Sequence, residues 1–260
     1  MKRILTLLTA SCLTLAAMPA AVCAQDVQST PIPPANEKPA EGHGEDNSGH
    51  DHEEGAVHGP ELTVDNTPFA LTEAPDDHVL GDDKAPITII VYASVTCSHC
   101  SEWFTNEWPA VKKDLVDSGK IRFVLRELPT APQQMSMVGF MMAECAPVED
   151  YFDVIQYQME NQLMMFKQAE IGKAREEYNK VGKLAGLEDE KAIQACFQDA
   201  ESLSHIHTNG NRATAAKVQG VPAFFINGDP YKGGQSADDL TALILEMSEN
   251  GLSILPTTSP

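Results

Sequence analysis

The run Ile87-Thr88-Ile89-Ile90-Val91-Tyr92, followed closely by Cys97-Ser98-His99-Cys100, carries a buried strand into a pair of thiols. The run is apolar and β-branched, as a strand covered on both faces should be. Beyond the pair, Phe104, Trp108, Val111 and Leu115 recur at intervals of three and four, the apolar stripe of a helix packed on one side. The cysteines therefore stand at a strand-to-helix junction, where unsatisfied amide N–H groups and the helix dipole favour a thiolate at Cys97. Cys97 is expected to be the exposed nucleophile and Cys100, one turn further in, the thiol that resolves a mixed disulfide. His99 lies between them and, when protonated, would stabilise the thiolate further. A stabilised thiolate makes the corresponding disulfide a stronger oxidant. A lone CxxC can also be half of a zinc site or an inert structural disulfide, but no second CxxC or HxxxH accompanies this one.

The N-terminus has the pattern of a secretory signal: Lys2 and Arg3, an apolar run from Ile4 to about Ala17, then small residues ending Val22-Cys23-Ala24. Cleavage after Ala24 is expected, with a lipoprotein site as the weaker alternative. The expected compartment is the periplasm. Loss of residues 1–24 removes Cys12 and Cys23 and leaves Cys97, Cys100, Cys145 and Cys196, an even set that suits an oxidising compartment. The formal net charge is −20. The leader holds two basic residues and no acid, so its removal makes the chain more acidic still, which argues against nucleic acid and anionic lipid as partners. Residues 25–60 are rich in proline and acids and poor in large apolar residues, the composition of a disordered tether. Its His43, His50, His52 and His58, set among carboxylates, are weak candidates for metal ligands.

Residues 61–254 make one domain without internal repeats. After the helix that follows the CxxC, Ile121-Arg122-Phe123-Val124-Leu125 is expected to be a second core strand, completing a βαβ unit. Residues 133–218 have a helical pattern throughout, with Pro147 separating two helices and Gly186 and Gly220 as stops. Sheet character returns in Ala223-Phe224-Phe225-Ile226. Asn227-Gly228 then marks a turn, and Ser236 caps a helix whose Leu240, Leu243, Ile244 and Met247 share a face. The order is βαβ, helices, ββα. The fold class is thus α/β, with a helical insertion between the two halves.

In this arrangement the chain resembles the DsbA-type thiol oxidases of the thioredoxin superfamily, through Cys97-Ser98-His99-Cys100, Gly220-Val221-Pro222-Ala223 and the helices between them. The resemblance covers nearly the whole domain. It implies a thioredoxin-like fold and a cis bond at Val221-Pro222 packed against the CxxC. Val221 would then offer its backbone to an extended substrate chain. It also implies reduced or unfolded secreted proteins as substrates, a membrane quinone-linked partner that reoxidises the pair, and no cofactor. A monomer is expected. Two departures from the family pattern stand out: Ser98 replaces a frequent proline, and Val91 lies where relatives commonly carry a buried acid.

The insertion contains Met135, Met137, Met141, Met142, Met159, Met164 and Met165, suited to core packing and also to a surface that accepts many chains. Once Cys97 pairs with Cys100, Cys145 and Cys196 have no other partners, so a structural disulfide between them is expected. Two free buried thiols and a second relay remain the alternatives. The leading function is a protein-disulfide oxidase. An isomerase or reductase kept reduced, and a metal-binding or metal-tolerance protein, are the rivals.

Overall fold

The computed structural model describes residues 67–250; the expected leader, the tether with His43, His50, His52 and His58, and the last ten residues lie outside them. Five strands form one sheet: β1 (His78–Leu80), β2 (Ile87–Ala93), β3 (Ile121–Glu127), β4 (Ala223–Ile226) and β5 (Asp229–Tyr231), in the order β1-β3-β2-β4-β5. The central pair β2 and β3 runs parallel, with Ile89 opposite Phe123 and Ala93 opposite Glu127, and the remaining pairs are antiparallel. Parallel strands need a crossover. Here it is supplied by α1 (Ser98–Asn106), α2 (Trp108–Val111) and a π-helical turn over Lys112–Val116. Ile87, Ile89, Val91, Phe123 and Leu125 are fully buried in the main core, and Ile90, Tyr92 and Val124 are buried in a second cluster with Phe225. This accounts for the nearly continuous apolar runs of β2 and β3.

Five helices lie between β3 and β4: α3 (Gln133–Glu144), α4 (Tyr151–Glu170), α5 (Ala174–Leu184), α6 (Glu190–Phe197) and α7 (Ala200–Ala215). Gly139 lets α3 approach α4 closely, since a Cβ there would stand 2.2 Å from Gln158 Oε1. Asn227 and Gly228, with φ of 49° and 94°, make the tight turn between β4 and β5. The closing helix α8 (Ala237–Asn250) buries Leu240, Leu243, Ile244 and Met247. Its first turn is held by a reciprocal cap, in which Asp239 N–H donates to Ser236 Oγ (3.1 Å) and Ser236 Oγ donates to Asp239 Oδ2 (2.6 Å). The thioredoxin-like α/β arrangement with its helical insertion is therefore present. None of the described helices is long and apolar enough to cross a membrane.

Three details differ from the sequence expectation. β1 is an additional strand, too short to show alternation and ordered by antiparallel pairing with β3. The helix after the CxxC is not continuous: it breaks around Glu107, where Pro109 lacks the N–H that would continue the ladder, although Phe104, Trp108, Val111 and Leu115 are all buried as their spacing predicts. β3 extends past Leu125 through Arg126 and Glu127, both fully buried. Arg126 can be there because Asp77 accepts two hydrogen bonds from it (2.9 and 2.8 Å), the Ala70 and Thr72 carbonyls and the Tyr92 hydroxyl accept others, and its guanidinium also lies over the Tyr92 ring.

Candidate active site

β2 ends at Ala93, and the chain turns through Ser94, Val95 and Thr96 into Cys97, the N-cap of α1. The turn is fixed from several sides. Cys97 N–H donates to the Ser94 carbonyl (3.1 Å), Thr96 Oγ1 donates to the Thr130 carbonyl (3.1 Å), and Gln162 Nε2 of α4 donates to the carbonyls of Val95 (2.8 Å) and Cys97 (3.0 Å). Ser101 Oγ donates to the Met159 carbonyl (2.6 Å), which locks α1 onto α4. The thiols therefore sit on a rigid support built partly by the inserted helices.

The two cysteines have different surroundings. Cys97 is half-buried and Cys100 fully buried. As N-cap, Cys97 has extended backbone dihedrals and no capping side chain competes for the first N–H groups of α1. The Cys100 S–H hydrogen bond is the largest influence on the Cys97 sulfur. Partial burial opposes it, the backbone N–H groups of Cys100 and His99 and the His99 side chain add to it, and the thiol pKa falls from 9.0 to about 5. Cys100 moves the other way: donating to Cys97 and being buried both hold its pKa well above the usual thiol range. One sulfur is thus a thiolate at neutral pH and the other a thiol.

The Val221–Pro222 bond is cis, and Val221 O lies 3.3 Å from Cys97 Sγ. His99 is exposed. His99, Val221 and Pro222 line one groove of about 420 Å³ together with Glu102, Trp103 and Gln235. Trp103 Nε1 donates to the Gln235 carbonyl (2.7 Å), fixing the loop before α8 as one wall. The sequence-selected residues Cys97, His99, Cys100, Val221 and Pro222 are therefore brought together. Cys145 and Cys196 are joined to each other, with Cα atoms 5.8 Å apart, and link the end of α3 to α6. Among the insertion methionines, Met141, Met142, Met159 and Met165 are buried, whereas Met135, Met137 and Met164 are partly exposed.

Sequence reading missed Gln162, whose only signal is a polar residue on the buried face of a helix. It also missed a polar cluster of His78, Glu127, Glu144 and His205. Burial, reinforced by the neighbouring Glu144 carboxylate, raises the Glu127 pKa. Burial would also raise Glu144, but hydrogen bonds from His205 and His78 outweigh it and hold that carboxyl below its usual range.

The family model described as Thioredoxin matches residues 73–246. A Rickettsia prowazekii protein named “Putative protein-disulfide oxidoreductase” is 30% identical over 65% of this chain and 60% of its own length, so the match spans about three fifths of that relative. Among solved structures, Wolbachia pipientis alpha-DsbA1 superposes with a TM-score of 0.61 at 24% identity, covering 69% of this chain and 94% of the other. Oxidised BdbD from Bacillus subtilis gives 0.54 at 15% identity, covering 66% and 93%. With the family model spanning most of the described residues, the chain belongs to the thioredoxin family, and its fold is the one seen in the Wolbachia alpha-DsbA1 structure.

Proposed function

We propose that this protein is a periplasmic thiol:disulfide oxidoreductase that oxidises cysteine pairs in reduced secreted proteins. The observation that carries the reading is the opposite displacement of the two thiols, Cys97 toward thiolate and Cys100 toward thiol, beside a groove floored by Val221 and Pro222. The name borne by the Rickettsia relative supports the same chemistry.

In the oxidised enzyme a substrate thiolate attacks Cys97 Sγ. The Cys97–Cys100 bond breaks, and Cys100 departs and takes up a proton, as its environment favours. A second substrate thiolate then attacks its partner sulfur in the mixed disulfide. Cys97 leaves as the stabilised thiolate, which makes this step downhill. Two electrons have passed from substrate to enzyme, and the substrate has gained a disulfide. The Val221 backbone holds the extended substrate chain across the sulfurs. His99, at the rim, adds positive charge to the thiolate when protonated. A membrane quinone-linked partner returns the pair to the disulfide. Cys145 and Cys196 stay bonded throughout and serve stability.

The test is a trap. Cys100→Ala leaves Cys97 able to attack substrate disulfides, releasing a substrate thiolate, but removes the thiol that would free it from the adduct. In secreting cells it should therefore accumulate mixed disulfides on non-reducing gels, and Cys97→Ala should not. Equal trapping by Cys97→Ala would remove Cys97 from its role.

A further inference from the structure

His78 in β1, Glu127 at the end of β3, Glu144 in the last turn of α3 and His205 in α7 come from four separate elements. Each presents one donor atom, and these atoms all lie within 4.8 Å of one another. His78 Nε2 and His205 Nδ1 both lie 2.9 Å from the same atom, Glu144 Oε1. Two imidazoles and two carboxylates converging on one point form a donor set for a divalent transition ion. The two imidazoles favour Zn²⁺ over Ca²⁺ or Mg²⁺, which take oxygen ligands. The two carboxylates would balance the charge of the dication. We propose that His78, Glu127, Glu144 and His205 form a structural Zn²⁺ site, separate from the thiols of the redox pair.

The dimensions suit the ion. Zinc bonds of about 2.0–2.1 Å set tetrahedral donors roughly 3.3 Å apart. The 2.9 Å contacts and the 4.8 Å limit bracket that figure, so small rotations of the four side chains suffice. The surroundings hold the donors in place, as second-shell groups do. The His78 ring stacks on Tyr151 with centroids 3.6 Å apart. Tyr151 Oη donates to Glu127 Oε1, and Asn209 Nδ2 donates to Glu127 Oε2 (2.6 Å). Coordination through His205 Nδ1 leaves its proton on Nε2, which faces the Asp76 carboxylate at 3.9 Å, a charge contact rather than a hydrogen bond, and the Asn209 side-chain amide at 3.5 Å. Asp76 is itself held by Arg212 (2.6 Å).

The ion also has a way in. The Glu127 side chain is fully buried, whereas His78, Glu144 and His205 line a cleft of about 560 Å³ shared with Asp76 and Ser202. Four protein donors leave no open position for a reacting water, so the site is structural. It would tie the edge strand β1 to β3, α3 and α7, next to the point where Cys145 bonds Cys196.

The experiment uses the full chain with His43, His50, His52 and His58 each changed to Ala, so that the tether contributes no imidazole, and with Cys97 and Cys100 oxidised, so that the thiols bind nothing. After chelation and removal of the chelator, calorimetric titration should show one Zn²⁺ per chain, bound more tightly than Ca²⁺. His205→Ala and Glu144→Gln, each added to that protein, should weaken Zn²⁺ by at least about 100-fold, the upper end of the cost of losing an outer-shell partner. Co²⁺ in the protein with the four tether substitutions should give the intense visible bands of a four-coordinate nitrogen and oxygen site. That readout decides the matter if either site variant fails to fold. No stoichiometric Zn²⁺, tighter Ca²⁺, unchanged affinity in folded variants or weak octahedral cobalt bands would each overturn the site and leave a hydrogen-bonded polar network.

Discussion

Loss of the Cys145–Cys196 bond should cost stability and leave redox turnover intact. The bond closes a loop with a sequence separation of 51 residues. On the chain-entropy relation a loop of that length is worth about 4 kcal/mol, an upper figure because helices α4 to α6 can persist in part in the unfolded chain and already restrict it. A domain of this size has roughly 5–15 kcal/mol in hand, so Cys145→Ala/Cys196→Ala should still fold. At about 2–4 °C per kcal/mol, its thermal midpoint should fall by at most roughly 8–16 °C. Urea unfolding of the double variant and the parent, both with Cys97 and Cys100 oxidised, measures the difference without disturbing the redox pair. Oxidation of a reduced test protein by the same samples gives turnover. A loss below about 1 kcal/mol would refute the loop argument. Loss of turnover in a variant that remains folded would refute the separation of the staple from the site.

Three further outcomes follow from the thiols and the buried ion pair. Thiolate absorbance of the reduced protein should rise around pH 5, and Cys100→Ala or His99→Ala should move that titration upward, the former more because the Cys100 hydrogen bond is the larger influence. Since the folded pKa lies below the unfolded value, the reduced protein gains stability over the oxidised one as pH rises from about 5 to about 9 and loses it as pH falls through about 5, which paired denaturation curves across that window would check. Asp77→Ala should destabilise by about 3–5 kcal/mol, because it leaves the fully buried Arg126 guanidinium without its carboxylate; a change below about 1 kcal/mol on urea unfolding would contradict this.

Much of the fold was legible because its signals are local. β2 and β3 read as apolar runs interrupted only by Thr88 and Arg122 as far as Tyr92 and Leu125, and the CxxC announces itself by spacing. The Asn227-Gly228 turn and the Ser236 cap lie in short stretches whose chemistry admits few conformations. The break at Glu107 was less visible because the apolar spacing continues through it, so periodicity alone gives one helix where Pro109 imposes two. β1 could not be seen, since three residues show no alternation and its order comes from β3. The same limit hid the polar cluster. His78, Glu127, Glu144 and His205 have no common spacing, and only the folding of β1, β3, α3 and α7 brings them within reach of one another. Arg126 and Glu127 follow the last apolar residue of the expected strand, Leu125, and carry no apolar signal of their own. They belong to it because partners distant in sequence, Asp77 for one and Tyr151 and Asn209 for the other, satisfy them.

The direction of the chemistry rests on the stabilised Cys97 thiolate, and the equilibrium of the Cys97–Cys100 pair with glutathione reads that stabilisation directly. The pair should prove a strong oxidant, with a potential above about −180 mV, so that the disulfide is readily reduced by substrate thiols. A potential near −270 mV, about that of a thioredoxin, would contradict an oxidase and make the protein a reductase.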